Sequence, residues 1–173
     1  MSSASLVGAR ADTTLRLARY AWAFFPNTLI GLLVALVGLF TRSRYALRDG
    51  VLEIHGGASN WFLKIGIPGI GPMPAMTLGH VVIAVDQATL DRWRVHERVH
   101  VRQFEAWGPL MLPAMLASAL CQSIQGRDPY YDNLFEREAY AVEGSPYEAS
   151  TRPRRTKPAD SARPIAPALE QAA

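Results

Sequence analysis

Three observations predict a small α+β domain: an uncharged apolar run over residues 21–40, alternating and glycine-punctuated stretches between residues 49 and 85, and a helical pattern around His96-Glu97-Arg98-Val99-His100. The expected architecture is a small antiparallel sheet, a helix carrying that pentapeptide, a second helix bearing a glutamate, and an apolar helix at the N-terminus. Residues 1–45 make the apolar segment, 46–142 the folded domain and 143–173 a tail.

The N-terminal run is long enough to cross a hydrocarbon layer of about 30 Å. Arg10, Arg16 and Arg19 precede it, Arg42, Arg44 and Arg48 follow it, and Trp22 and Phe24 stand near one end, where an interfacial belt would lie. Positive charge on both sides leaves the orientation open. Pro26-Asn27 offers a helix start inside the run, and the helix beyond it, at roughly 20 Å, is short for a crossing. A membrane anchor, an embedded hairpin and a core helix of a soluble domain all fit this pattern; membrane association is the expectation.

The β-rich insert follows. Asp49-Gly50 makes a turn, Val51 to His55 alternates, Gly56-Gly57 breaks the strand, and residues 61–65 start a second one, giving a hairpin. Proline and glycine from Ile67 to Pro74 forbid regular structure. Residues 75–85 then read as one strand, which either packs in the core or lies at an edge where an extended peptide can pair with Thr77 to Ala84.

The next helix carries the chemistry. Asp86 or Thr89 can cap its start, Leu90, Trp93, Phe104 and Trp107 recur at helical offsets, and Gly108-Pro109 stops it. His96 and His100 therefore project from one face, one turn apart, with Glu97 about 100° around the axis. Zinc takes neutral imidazole nitrogens, and catalytic sites usually combine three protein ligands with one open position. Coordination lowers the pKa of water from roughly 16 to about 7, and an adjacent carboxylate can take its proton. The spacing thus reads as ligand, base, ligand. Gln103 lies on the same stripe and can orient a ligand. The plainer alternative is a solvated helix on which Arg92, Arg94, Glu97, Arg98, Arg102 and Glu105 form ordinary ion pairs. His55 and His80 have no metal-ligand spacing to the motif and read as structural or solvent-facing.

The run HERVHVRQFEAWGPL followed by DNLFEREAY resembles the gluzincin group of zinc metallopeptidases, and most closely small bacterial zincin-like proteins. The resemblance covers about the middle third of the chain. It implies a zincin-like fold with His96 and His100 as ligands, Glu97 as general base, and Glu136, three residues before Ala139, as third ligand from a second helix. Glu138 is the alternative third ligand. Where many gluzincins place Asp after that alanine, this chain has Tyr140, so the groups that support the ligands differ.

A second uncharged run, residues 106–125, lies between His100 and Glu136. A straight crossing would put those two backbones roughly 30 Å apart, so shared ligation of one ion excludes it. Residues 110–124 are instead an apolar helix under the site, or one that dips into a membrane and returns, with Gly126-Arg127-Asp128-Pro129 turning back. Beyond Tyr140, prolines alternate with Arg152, Arg154, Arg155, Lys157 and Arg163, a composition expected to stay disordered.

The 173 residues are 49% hydrophobic, with mean hydropathy +0.03 and pI near 9.3. The single Cys121 excludes an internal disulfide framework and reads as a small buried hydrophobe. No P-loop or dinucleotide fingerprint occurs, and no nucleic-acid partner is expected. The expectation is a zinc-dependent metallopeptidase acting on a peptide or protein substrate, with Zn2+ as cofactor, associated with a membrane, the inner membrane if the bacterial resemblance holds. The alternative is a non-catalytic, membrane-attached binding or scaffold protein that retains the shell, for instance with His80 closing the fourth position.

Overall fold

The computed structural model describes residues 3–66 and 71–144. Helix α1 (Ser3–Ala23) runs through a π-helical turn (Phe24–Thr28) into α2 (Leu29–Leu39). Strands β1 (Arg44–Arg48) and β2 (Val51–His55), helix α3 (Gly57–Ile65), and strands β3 (Ala75–Leu78) and β4 (Val81–Ala84) follow. The chain ends in α4 (Gln87–Trp107), a single 3-10 turn (Gly108–Leu110), α5 (Met111–Ile124) and α6 (Leu134–Glu143). The α+β class is as expected, and most of the tail, from residue 145 onward, lies outside the described residues.

The sheet is mixed rather than antiparallel, in the order β1-β2-β4-β3. Residues 61–65, expected as a strand, belong to α3, because Ser59 and Leu63 fall four apart and bury one helical face. With a helix there, β2 pairs antiparallel with β1 before it, across Asp49-Gly50, and parallel with β4 after the crossover. Residues 75–85 are likewise not one strand. Gly79, at φ +63°, and His80 turn the chain between β3 and β4, and a Cβ on Gly79 would collide with the Thr28 hydroxyl. That backbone conformation and that contact both call for glycine.

Every residue of β4 is buried, because helices cover both faces of the sheet. Ile54, Val81 and Ile83 point to one side, against Ala35 of α2 and Leu63 of α3. Val51, Val82 and Ala84 alternate to the other, against Leu90 and Val101 of α4. Period-two alternation thus splits the core into two layers, each fully buried side chain contributing about 1.5–3 kcal/mol. A third cluster joins Ala23, Phe104, Met111 and Phe135. It ties α1 to α4, α5 and α6.

A buried carboxylate fixes the rotation of α4. Glu53, 1% exposed, accepts hydrogen bonds from Arg94 Nε (3.1 Å) and Arg98 Nη2 (3.0 Å), with Arg48 at 3.6 Å. Arg94 and Arg98 sit one turn apart, so engaging Glu53 turns the opposite face, with His96 and His100, away from β2. Asp86 caps α4, accepting from the Thr89 N–H at 2.7 Å.

Two helical runs, Thr13–Leu39 and Gln87–Ile124, are long and apolar enough to cross a membrane. Each is broken. Phe25 leaves helical geometry at φ −107°, ψ 133°, and Gly108 at φ 53°, ψ −127°. The breaks meet: Asn27 Nδ2 donates to the Gly108 carbonyl at 3.0 Å, and Trp22 packs where a Cβ on Gly108 would stand. Cys121, expected to be buried, is exposed, because α5 buries its Met111, Ser118 and Gln122 face instead.

Candidate metal centre

Helix α4 delivers His96 and His100 from adjacent turns, and α6 packs alongside to deliver Glu136. Asn133 caps α6, accepting from the Phe135 N–H at 3.2 Å and donating to the Met115 carbonyl at 3.0 Å, which sets where the helix starts. Ala139, fully buried, lets the two helices approach closely.

The three donor groups converge. His96 Nε2 and His100 Nε2 are 3.2 Å apart, Glu136 Oε2 lies 3.3 Å from His96 Nε2, and Glu136 Oε1 lies 3.5 Å from His100 Nε2. Tetrahedral zinc with bonds of 2.0–2.1 Å has ligand–ligand edges of about 3.3 Å, so the spacing fits such an ion. Among the described residues these three form the one His/Cys/Asp/Glu group whose ligand atoms lie within 4.8 Å of one another. The three are 2%, 7% and 4% exposed.

Second contacts set the imidazole tautomers. His100 Nδ1 faces Gln103 Oε1 at 2.8 Å, while Gln103 Nε2 donates to the Phe135 carbonyl (3.0 Å) and to Glu138 Oε2 (2.8 Å). An amide oxygen only accepts, so His100 Nδ1 carries a proton and Nε2 is the ring nitrogen that faces the cluster. His96 Nδ1 lies 3.4 Å from Glu143 Oε2, within ion-pair reach though not aligned as a hydrogen bond. Glu136 Oε2 is likewise buried without a hydrogen-bond partner. Two imidazole nitrogens and a carboxylate packed at this range call for positive charge among them, which a ring proton or a bound cation supplies.

Electrostatics follow the packing. Burial opposes charge on Glu136, but close contact with His100 and His96, and their charge, pull its carboxyl down to about 2. Burial likewise disfavours the His100 imidazolium, and Glu136 more than offsets it, holding the ring at about 9. Glu97, 5% exposed, is pushed up by burial against the lowering pull of His100, Thr77 and His96. Thr77 Oγ1 donates to Glu97 Oε2 at 2.6 Å. Trp93 and Tyr140 pack edge-on against the His96 ring, and burial beside Glu136 raises the phenols of Tyr130 and, to about 12, Tyr140, keeping both protonated.

Of the four sequence-predicted site residues, His96, His100 and Glu136 meet, and Glu97, the neighbour of His96 in the chain, gives its carboxyl to Thr77. Glu97 is buried and turned toward β3, not part of a solvated charge ladder. Glu138 is exposed and anchors Gln103, so of the two candidate glutamates it is Glu136 that joins the cluster. His80 stands elsewhere, stacked on Tyr20 at 4.0 Å and 3.1 Å from Glu105. Thr77 and Glu143 escaped the sequence reading; Glu143 follows Glu136 by two helical turns, a spacing that could have marked it, whereas nothing in the strand marks Thr77. No protein-family model, no curated protein and no solved structure matches the chain.

Proposed function

We propose that this chain is a zincin-like, zinc-dependent hydrolase, most simply a metallopeptidase, with His96, His100 and Glu136 as metal ligands and Glu97 as general base. The observation that carries the reading is the convergence of three buried donors from two helices at tetrahedral spacing, with a second buried carboxyl, Glu97, one residue from a ligand. Zinc, when bound there, supplies the positive charge that acidifies a water and polarises a substrate carbonyl.

The chain's own groups supply the rest. Glu97 takes a proton from the attacking water as its oxygen bonds to the carbonyl carbon, and passes that proton to the amide nitrogen as the C–N bond breaks. Burial raises the Glu97 carboxyl above the usual carboxylate range, which suits a group that must both accept and donate. Gln103 orients His100, and Thr77 holds Glu97. Strand β3 ends the sheet, which gives an extended peptide an edge to align on.

A second reading has one observation in its favour. Ligands and base are all at least nine-tenths buried, with Trp93 and Tyr140 against His96, as suits a closed structural metal site in a binding or scaffold protein. Zinc content and turnover of a mixed peptide pool, measured for the parent chain and Glu97→Gln, separate the two. The hydrolase reading expects stoichiometric zinc in both and a rate lower by about 10²–10⁴-fold in the variant. Equal rates, or zinc-loaded parent protein without turnover, overturn it.

A further inference from the structure

We infer that α5 is an interfacial helix whose outward face seats in one leaflet of an anionic lipid bilayer. Unlike an ordinary surface helix, it keeps its outward face apolar while its inward face mixes Met111 with polar groups. The inward side carries Ser118 and Gln122, 8% and 6% exposed. Ser118 Oγ accepts from the Leu134 N–H at 3.0 Å, so this polar face serves as a hydrogen-bonding platform for the start of α6. Outward, Leu112, Leu116, Leu120 and Ile124 recur every four residues along one stripe and are 40%, 71%, 59% and 77% exposed. No charged residue occurs from 106 to 126.

The stripe does not stop at the helix start. The turn Gly108–Leu110 packs against Phe24–Thr28, where Phe24 and Phe25 are 44% and 67% exposed, and Trp22 and Trp107 stand exposed at the same junction. Large apolar side chains left exposed together in this way mark a surface that meets a partner or a membrane. Tryptophan at such a junction suits the headgroup level, and exposed Arg16 and Arg19 before it and Arg127 after α5 complement anionic lipid.

A single leaflet is the partner that fits. At 14 residues α5 is about 21 Å long, short of the roughly 30 Å hydrocarbon layer, and its inward face is pinned to the protein along its length. It lies flat and cannot cross. This rests on no property of the metal centre.

Cys121 is the sole cysteine and lies on the exposed side of α5, so the full chain carries its own labelling site. An environment-sensitive fluorophore on Cys121 should shift to the blue on adding phosphatidylcholine vesicles containing phosphatidylglycerol, and less without the anionic lipid. Nitroxide lipids labelled near the headgroup should quench it more than those labelled at the chain end. Leu116→Glu with Leu120→Glu should weaken vesicle binding at least tenfold with unchanged circular dichroism. No shift on vesicle addition overturns the inference, as does strongest quenching at the bilayer centre. A blue shift without vesicles, together with dimer mass in sedimentation, would give the face to a second copy of the chain instead.

Discussion

Thr77 Oγ1 lies 2.6 Å from Glu97 Oε2 and 3.2 Å from the Glu97 carbonyl oxygen, so one hydroxyl on the sheet edge holds the carboxylate proposed as base. A hydroxyl has one proton, and the shorter contact, to the side-chain oxygen, takes it. Thr77→Val preserves shape and deletes that donor. It should leave zinc content stoichiometric and lower turnover by about tenfold or more, with Thr77→Ser restoring most of the rate. A full rate in Thr77→Val removes the positioning role.

Gln103 bridges His100 on α4 to Phe135 and Glu138 on α6. Gln103→Ala should weaken zinc binding by about 10–100-fold, read by competition with a chromophoric chelator. Under the same titration Glu136→Ala should lose the metal, and Glu138→Ala should keep it. Zinc lost from Glu138→Ala and retained by Glu136→Ala would reverse the ligand assignment.

Glu53 engages Arg94 and Arg98 from inside the sheet–helix interface. Removing the carboxylate leaves two half-buried guanidiniums without their partner, and Glu53→Ala should destabilise the fold by about 2–3 kcal/mol, less than a fully buried pair because both arginines reach solvent. Urea unfolding of the two proteins checks this. A loss below about 0.5 kcal/mol would show that packing alone sets the pose of α4.

The hydrogen bond from the Thr89 N–H holds the Asp86 carboxyl below its usual value. A folded-state value below the unfolded one gives stability that is present above the unfolded value, about 3.9, and is lost as pH falls through the folded one. Asp86→Ala should therefore melt at a lower temperature than the parent at pH 7, and the gap should narrow as pH falls below the unfolded value of about 3.9. A gap independent of pH would mean that the cap does not act through its charge.

The site was more legible in the sequence than the sheet. Helical geometry converts a spacing of four into a shared face, so His96, His100 and the orienting Gln103 follow from position alone, and Asp86 and Gly108 mark the ends of α4. Strands give weaker signals. The apolar Trp61 to Ile65 suited strand or helix equally, and the choice fell to Leu63 packing four residues after Ser59. Strand β1, with Arg44 and Arg48 at its ends and little buried, has no apolar alternation to announce it. Residues 75–85 looked continuous because β4 is buried on both faces, which hides the turn at Gly79. Cys121 misled for a related reason: an apolar neighbourhood in the sequence implies burial only where the helix turns that face inward.

The amide of Asn27 on the Gly108 carbonyl, with Ala23 seated among Phe104, Met111 and Phe135, has a practical corollary. Trimming the chain before Leu29 to obtain a more tractable protein would not detach a dispensable tether. It would remove one wall of the folded body, uncover Phe104 one turn from His100, and hand the experimenter a protein whose failure to bind zinc says nothing about its ligands.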